Sequence, residues 1–109
     1  MAPPAHPNEF DRKRIERAIR QRRRYRYVEP KVVGADHGYR IESACCSRNV
    51  DPDGGVVDIA LVLHDADSGN WHLFRKNHGA DTWELDSIHP RLPPLLDLLN
   101  EDQDRKFWQ

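Results

Sequence analysis

The stretch of sequence that decides the fold runs from residue 38 to residue 64. It reads GYRIESACCSRNV (38–50), DPDGG (51–55) and VVDIALVLH (56–64). The run Asp-Pro-Asp-Gly-Gly is typical of a turn, because proline presets one backbone angle and glycine accepts a positive φ. The flanking residues are rich in β-branched and aliphatic side chains, which predicts strands over residues 39–44 and 56–64. The second strand is apolar on both faces and should therefore lie in the middle of a sheet.

The segments on either side of this hairpin predict two helices and three more strands. Residues 9–24 contain no glycine or proline and form an amphipathic pattern that begins at Asn8, a residue suited to capping a helix. Residues 25–33 read as a strand, and Pro30 marks it as an edge or bulged strand. Strands are also predicted over residues 71–76 and 81–86, separated by turns at 34–38, 65–70 and 77–80. Pro93 and Pro94 suit the first turn of a last helix, whose apolar face is formed by Leu92, Leu95, Leu96 and Leu99.

This order of elements predicts an α+β fold with an N-terminal helix, a four- to five-stranded antiparallel meander sheet and a C-terminal helix, in two or three layers. A length of 109 residues predicts a single domain. We assign residues 8–109 to that domain and residues 1–7, which include three prolines, to a flexible tail. The chain has no apolar run long enough to span a membrane, no signal-peptide pattern and only two cysteines, which predicts a cytoplasmic protein without membrane contact.

The charge of the chain is unevenly distributed. Residues 1–31 contain ten Lys and Arg against four Asp and Glu, a net charge of +6, whereas the whole chain has a net charge of −1. Most of the basic residues lie on the polar face of the first predicted helix or just after it, where two tyrosines alternate with arginines. Such a surface suits either a protein partner or the phosphates and bases of a nucleic acid. The residues that would form it are Lys13, Arg17, Arg20, Arg24, Tyr25 and Tyr27.

A register for the central hairpin follows if the turn pairs Val50 with Val56. Arg48 then faces Asp58, and Glu42 faces His64, so that both pairs combine opposite charges or hydrogen-bonding groups. One face of the sheet would hold the candidate site Cys46, Arg48, Asp58, His64 and Arg75, beside the candidate interface aromatics Trp71 and Trp83. The other face would form the core from Tyr39, Ile41, Cys45, Val57, Ile59, Leu61 and Leu63.

Catalytic and metal-binding patterns are weak in this sequence. The spacing of Cys46, His64, His72 and His78 fits no common zinc motif, and no nucleophile–base motif or phosphate-binding glycine loop is present. Arg48 would favour the thiolate form of Cys46, which leaves a thiol-based redox or metal-binding protein as one alternative. We expect no cofactor and no metal.

The sequence favours a small, non-enzymatic accessory or regulatory protein that binds another protein or associates with itself. Large aromatic residues and arginines, both present here, are the residue types that protein interfaces favour. An RNA- or DNA-binding module that uses the basic helix is the other alternative.

Overall fold

The computed structural model describes residues 8–21, 30–44, 56–102 and 107. Helix α1 spans Glu9–Ala18 and continues as a 3₁₀ turn over Ile19–Gln21, and helix α2 spans Leu92–Glu101. The strands are β1 (Lys31–Ala35), β2 (Gly38–Ala44), β3 (Val56–His64), β4 (Trp71–Asn77) and β5 (Thr82–His89). They form one antiparallel sheet in the order β1-β2-β3-β4-β5, which confirms the predicted α+β fold and its meander.

Helix α1 begins as predicted and is shorter than predicted. The side chain of Asn8 accepts a hydrogen bond from the backbone N–H of Asp11 at 2.8 Å, which satisfies one of the free donors at the start of the helix. The backbone N–H of Asn8 donates to the hydroxyl of Tyr39 at 3.0 Å and ties the helix start to the sheet. The α-helix ends at Ala18 rather than at residue 24, and residues 22–29 lie outside the described part of the chain.

The turn between β1 and β2 is shorter than predicted, and strand β5 is longer. The turn between β1 and β2 contains only Asp36 and His37, because β1 runs to Ala35 and β2 begins at Gly38. Strand β5 continues to His89, three residues past its predicted end, and stops where Pro90 follows. The turn before β4 is as predicted, with Gly69 at a φ of 76°. The predicted turn over residues 51–55 lies outside the described residues.

The predicted register of the central hairpin is wrong. Glu42 lies opposite Asp58 rather than His64, whose backbone N–H instead donates to the carbonyl of His37 at 2.8 Å. The pairing also shifts between Ile41 and Glu42, so that Ile59 is an extra residue on β3. The prediction paired Val50 with Val56, whereas Ala44 is the partner of Val56, so the register is displaced by six residues before the bulge is reached. The bulge adds one further residue and reverses the faces of β3 beyond it.

Because of this bulge, each predicted face of β3 is correct over only half of the strand. Ile59 and Val57 contact the core, as predicted, but Ala60 and Val62 replace Leu61 and Leu63 there. Strand β5 contains a second irregularity, where Asp86 lies between the partners of Leu73 and Phe74. On the Leu85 side of Asp86, the side chains of β5 therefore point to the opposite face from the one that an unbroken strand would give them. Leu85 accordingly lies opposite Phe74.

The sheet and the two helices form two layers. Tyr39, Ile41, Val62 and Leu73 are fully buried on one face of the sheet, and they pack in one cluster with residues of both helices. Asn100 of α2 donates to the backbone carbonyl of Ala18 at 3.0 Å, which links the helices to each other. All four leucines predicted for the apolar face of α2 are buried. Both helices therefore cover the same face, and no element that the structure describes covers the opposite face.

Candidate functional site

The uncovered face of the sheet, which we call the open face, combines apolar and charged side chains. Since neighbouring residues of a strand point to opposite sides, the pairing register identifies its members. They are Lys31, Val33, Ala35, Arg40, Glu42, Val56, Asp58, Leu61, Leu63, His72, Phe74, Lys76, Trp83, Leu85 and Ile88. The apolar members lie mainly on β3, β4 and β5, and the charged members lie at one end.

Five of these residues form a continuous apolar patch. Leu61 lies opposite Phe74, and Phe74 lies opposite Leu85, so that three strands contribute one row. The next row contains Leu63 and Ile88 on either side of His72, whose ring lies 6.4 Å from that of Phe74. Leu85 and Ile88 are 49% and 51% exposed. Single exposed hydrophobic residues are common, whereas a contiguous patch in a charged rim is typical of an interaction surface.

The charged end of the open face is a network of ion pairs, which we call the charged border. Arg40 lies 3.3 Å from Glu42 and 3.4 Å from Asp58. Lys76 lies 3.3 Å from Asp58 and 2.9 Å from Asp81. Its hydrogen bond to Asp81 raises the pKa of Lys76, with a further contribution from Asp58. Each cation in the border is therefore already matched with carboxylates.

Trp83 joins the charged border to the apolar patch. The Nζ atom of Lys76 lies over the Trp83 ring at 4.9 Å from its centre, a distance at which a cation is attracted to the π electrons. Lys76 and Trp83 are also direct cross-strand partners. This contact holds the half-buried indole against the sheet.

The residues predicted to form a sheet-face site do not come together. Asp58 lies on the open face, whereas His64 pairs with Trp71 on the helix-covered face. Arg75 follows Trp71 by four residues on β4 and shares that covered face, where it lies 3.0 Å from Asp86 and 3.4 Å from Glu84. Cys46 and Arg48 lie outside the described residues. The prediction depended on the wrong register, and the three described members now divide between the two faces.

The two predicted interface aromatics also lie on opposite faces. Trp71 is 7% exposed and contacts the core, with its ring 6.5 Å from that of Tyr39 and 4.8 Å from that of His64. Trp83 lies on the open face, as described above. The irregularity at Asp86 separates them, because it changes which residues of β5 point toward the helices.

The basic face of α1 is present over its described part. Lys13, Arg17 and Arg20 are exposed, and none of them forms an ion pair with a residue that the structure describes. Arg12 and Arg14 differ, since Arg12 is paired with Glu9 and Glu16, and Arg14 with Asp11. Arg24, Tyr25 and Tyr27 lie outside the described residues.

Sequence reasoning missed the open apolar patch. It assigned Leu61 and Leu63 to the core by continuing the alternation of faces from Val57 and Ile59, and no local signal marks the bulge at Ile59. The only available signal was that β3 is apolar on both faces, which requires two apolar environments and not one.

Within the described ranges, no group of three or more His, Cys, Asp and Glu residues is arranged to hold a metal ion. No helix among the described residues is both long and apolar enough to cross a membrane.

The chain belongs to the family described as a domain of unknown function, DUF3024, whose model matches residues 3–109. No curated protein and no solved structure matches the chain. The family description states no activity.

Proposed function

We propose that this protein is a small, non-enzymatic accessory or regulatory protein that acts through protein–protein contacts made by its open face. The observation that supports this proposal is the apolar patch of Leu61, Leu63, Phe74, Leu85 and Ile88, which no described element covers. Burial of such surface is the main favourable contribution to protein association. A cytoplasmic location is part of the same proposal and is supported by the scarcity of cysteine.

The occupant that the open face fits best is a second copy of the same chain. The charged border is internally paired, so it provides little net charge to attract a strongly acidic or basic partner. An apolar patch with a balanced rim is compatible with itself across a two-fold axis, where the same patch meets its copy. Two twisted sheets can pack face to face in this way at a separation of about 10 Å.

The size of the open face is sufficient for such a dimer. Five strands spaced by about 4.8 Å and about six residues at 3.3 Å per residue give a footprint of roughly 480 Å² per copy. Two copies would bury close to 1,000 Å², which is about the lower limit for a specific interface. An interface of this size suits a weak, reversible dimer.

The oligomeric state tests this proposal directly. Analytical ultracentrifugation over a concentration series should show a reversible monomer–dimer equilibrium for the wild-type chain. Leu85→Glu should shift it to monomer, because the substitution places a carboxylate in the apolar contact. Leu98→Glu is the matched control, since Leu98 is 38% exposed on α2, away from the open face. A wild-type chain that stays monomeric at all concentrations, or equal effects of the two variants, would overturn the assignment.

A second candidate function is nucleic-acid binding through α1. The observation that favours it is the row of Lys13, Arg17 and Arg20, which are exposed and form no ion pair with described residues. Three phosphate contacts predict that the logarithm of affinity falls with the logarithm of salt concentration with a slope of about −2 to −3. A gel shift with single-stranded DNA or RNA that is lost in Arg17→Glu/Arg20→Glu would support this function. No shift at low salt would exclude it.

A further inference from the structure

A separate groove runs along the other side of the molecule, between α1 and the edge strand β1. It has a volume of about 420 Å³ and is lined by Arg12, Glu16, Ile19, Arg20, Pro30, Lys31, Val32 and Val33. Its apolar base includes Ile19 and Val32, which are 1% and 4% exposed. Lys31 and Val33 belong to both the open face and this groove, whereas the apolar patch of the open face lies away from the groove, on β3, β4 and β5.

The edge of β1 that faces away from β2 pairs with no strand that the structure describes. His37 accepts a hydrogen bond from His64 of β3, so the alternation of an antiparallel sheet directs residues 38, 40 and 42 of β2 toward β1. Their partners on β1 are Ala35, Val33 and Lys31. The N–H and C=O groups of Val32 and Gly34 therefore point away from β2, and no strand that the structure describes pairs with them.

The charges beside this edge are positive. Arg12 is matched with Glu9 and Glu16, whose carboxylates lie 2.9 and 2.8 Å away. Arg20 and Lys31 form no ion pair with any residue in the described ranges. Arg20 lies on the helical side of the groove. Lys31 points to the open side of the sheet, because the next residue, Val32, points to the core and neighbouring residues of a strand point to opposite faces.

We propose that this groove binds an acidic protein segment in an extended conformation, which adds to the sheet as a strand beside β1. The backbone groups of Val32 and Gly34 would form the ladder, as in other cases where a peptide extends a sheet edge. Two consecutive acidic residues in such a segment point to opposite faces, so one reaches Arg20 and the next reaches Lys31. An apolar residue of the segment on the open side of the sheet contacts Val33.

Fluorescence anisotropy with a labelled octapeptide, Thr-Val-Thr-Glu-Glu-Thr-Val-Thr, tests the proposal on the full chain. We expect saturable binding, with at least a tenfold loss of affinity when the Glu-Glu pair is replaced by Lys-Lys or when the protein carries Arg20→Glu/Lys31→Glu. A peptide with alternate N-methylated amides keeps both carboxylates and loses ladder donors, so it should bind at least tenfold more weakly. Arg91→Glu is the matched control, since Arg91 is exposed at the start of α2 and lies outside the groove.

Three results would overturn the proposal. The first is no binding of the acidic octapeptide at low salt. The second is equal binding of the N-methylated peptide, which would show that charge alone holds the ligand. The third is that Arg91→Glu weakens binding as much as Arg20→Glu/Lys31→Glu does. If oligo-dT binds and the acidic peptide does not, the basic residues of α1 serve nucleic acid, and the strand-addition proposal is wrong.

Discussion

Substitution of Gly38 by alanine should destabilise the protein far more than its small size suggests. A Cβ atom added there would overlap the carbonyl oxygen of Val62 and lie 2.8 Å from Cα of Leu63 and 2.9 Å from the carbonyl carbon of Val62. All three atoms belong to the backbone of β3, so no side chain can move aside. Strands β2 and β3 must separate near the hydrogen bond from His64 to His37.

The magnitude follows from three contributions. Overpacking in a well-packed region costs about 1–3 kcal/mol, and a lost or weakened ladder hydrogen bond costs about 1 kcal/mol. The lower entropy of the unfolded alanine chain returns about 0.4–1 kcal/mol. Gly38→Ala should therefore lower the free energy of unfolding by about 1–3.5 kcal/mol and, for a chain of about 100 residues, lower Tm by about 4–15 °C.

Urea unfolding followed by tryptophan fluorescence measures this effect, and Gly79→Ala is the matched control. A Cβ atom at Gly79 meets only the side-chain oxygen of Asn77 at 3.6 Å, an ordinary contact. This control should leave the midpoint unchanged or raise it slightly. If both variants unfold at the same urea concentration with the same slope, then the close approach of β2 and β3 at Gly38 is not a determinant of stability or register.

Three further predictions concern single groups. Burial raises the pKa of Tyr39, so the folded state holds the phenol proton more tightly than the unfolded state does. The contribution of this proton to the free energy of unfolding is complete below about pH 10 and is lost as pH rises through the folded-state pKa. Urea midpoints of wild type and Tyr39→Phe over an alkaline pH series should converge, and parallel curves would contradict this. Burial, aided by repulsion from Lys76, lowers the pKa of His78. The neutral imidazole therefore contributes to the free energy of unfolding above about pH 6.5, and this contribution is lost as pH falls through the folded-state pKa. His78→Gln should flatten the acid side of the stability curve, and an unchanged slope would refute this. Asp102 accepts the N–H of Phe107 with both carboxylate oxygens, at 3.2 and 3.3 Å, from a backbone with φ of 39°. Asp102→Gly should cost about 1 kcal/mol and Asp102→Ala about 1 kcal/mol more, because alanine is strained at positive φ; equal losses in urea unfolding would contradict this.

Part of the candidate surfaces was predictable from the sequence. The basic face of α1 follows from helical periodicity, and Lys13, Arg17 and Arg20 are exposed where that periodicity places them. The open face was not predictable, because it required knowledge of which side of the sheet the two helices cover. The division of Asp58 from His64 and Arg75 likewise follows from a bulge, for which the residues around Ile59 give no local signal.

The sequence by itself determined the order and type of the elements. Asn8 caps α1, Gly69 allows the turn before β4, and Pro93 and Pro94 lie in the first turn of α2. Strand β3 occupies residues 56–64 as predicted. All of these features depend on interactions among residues that are near neighbours along the chain. Only the tertiary structure decided the register and the choice of faces. Those depend on contacts between residues far apart in sequence, above all the close passage of Gly38 beside β3 and the extra residues at Ile59 and Asp86. A shift of one residue in a strand reverses the face of every side chain beyond it, so two bulges were enough to expose Leu85 and to bury Trp71.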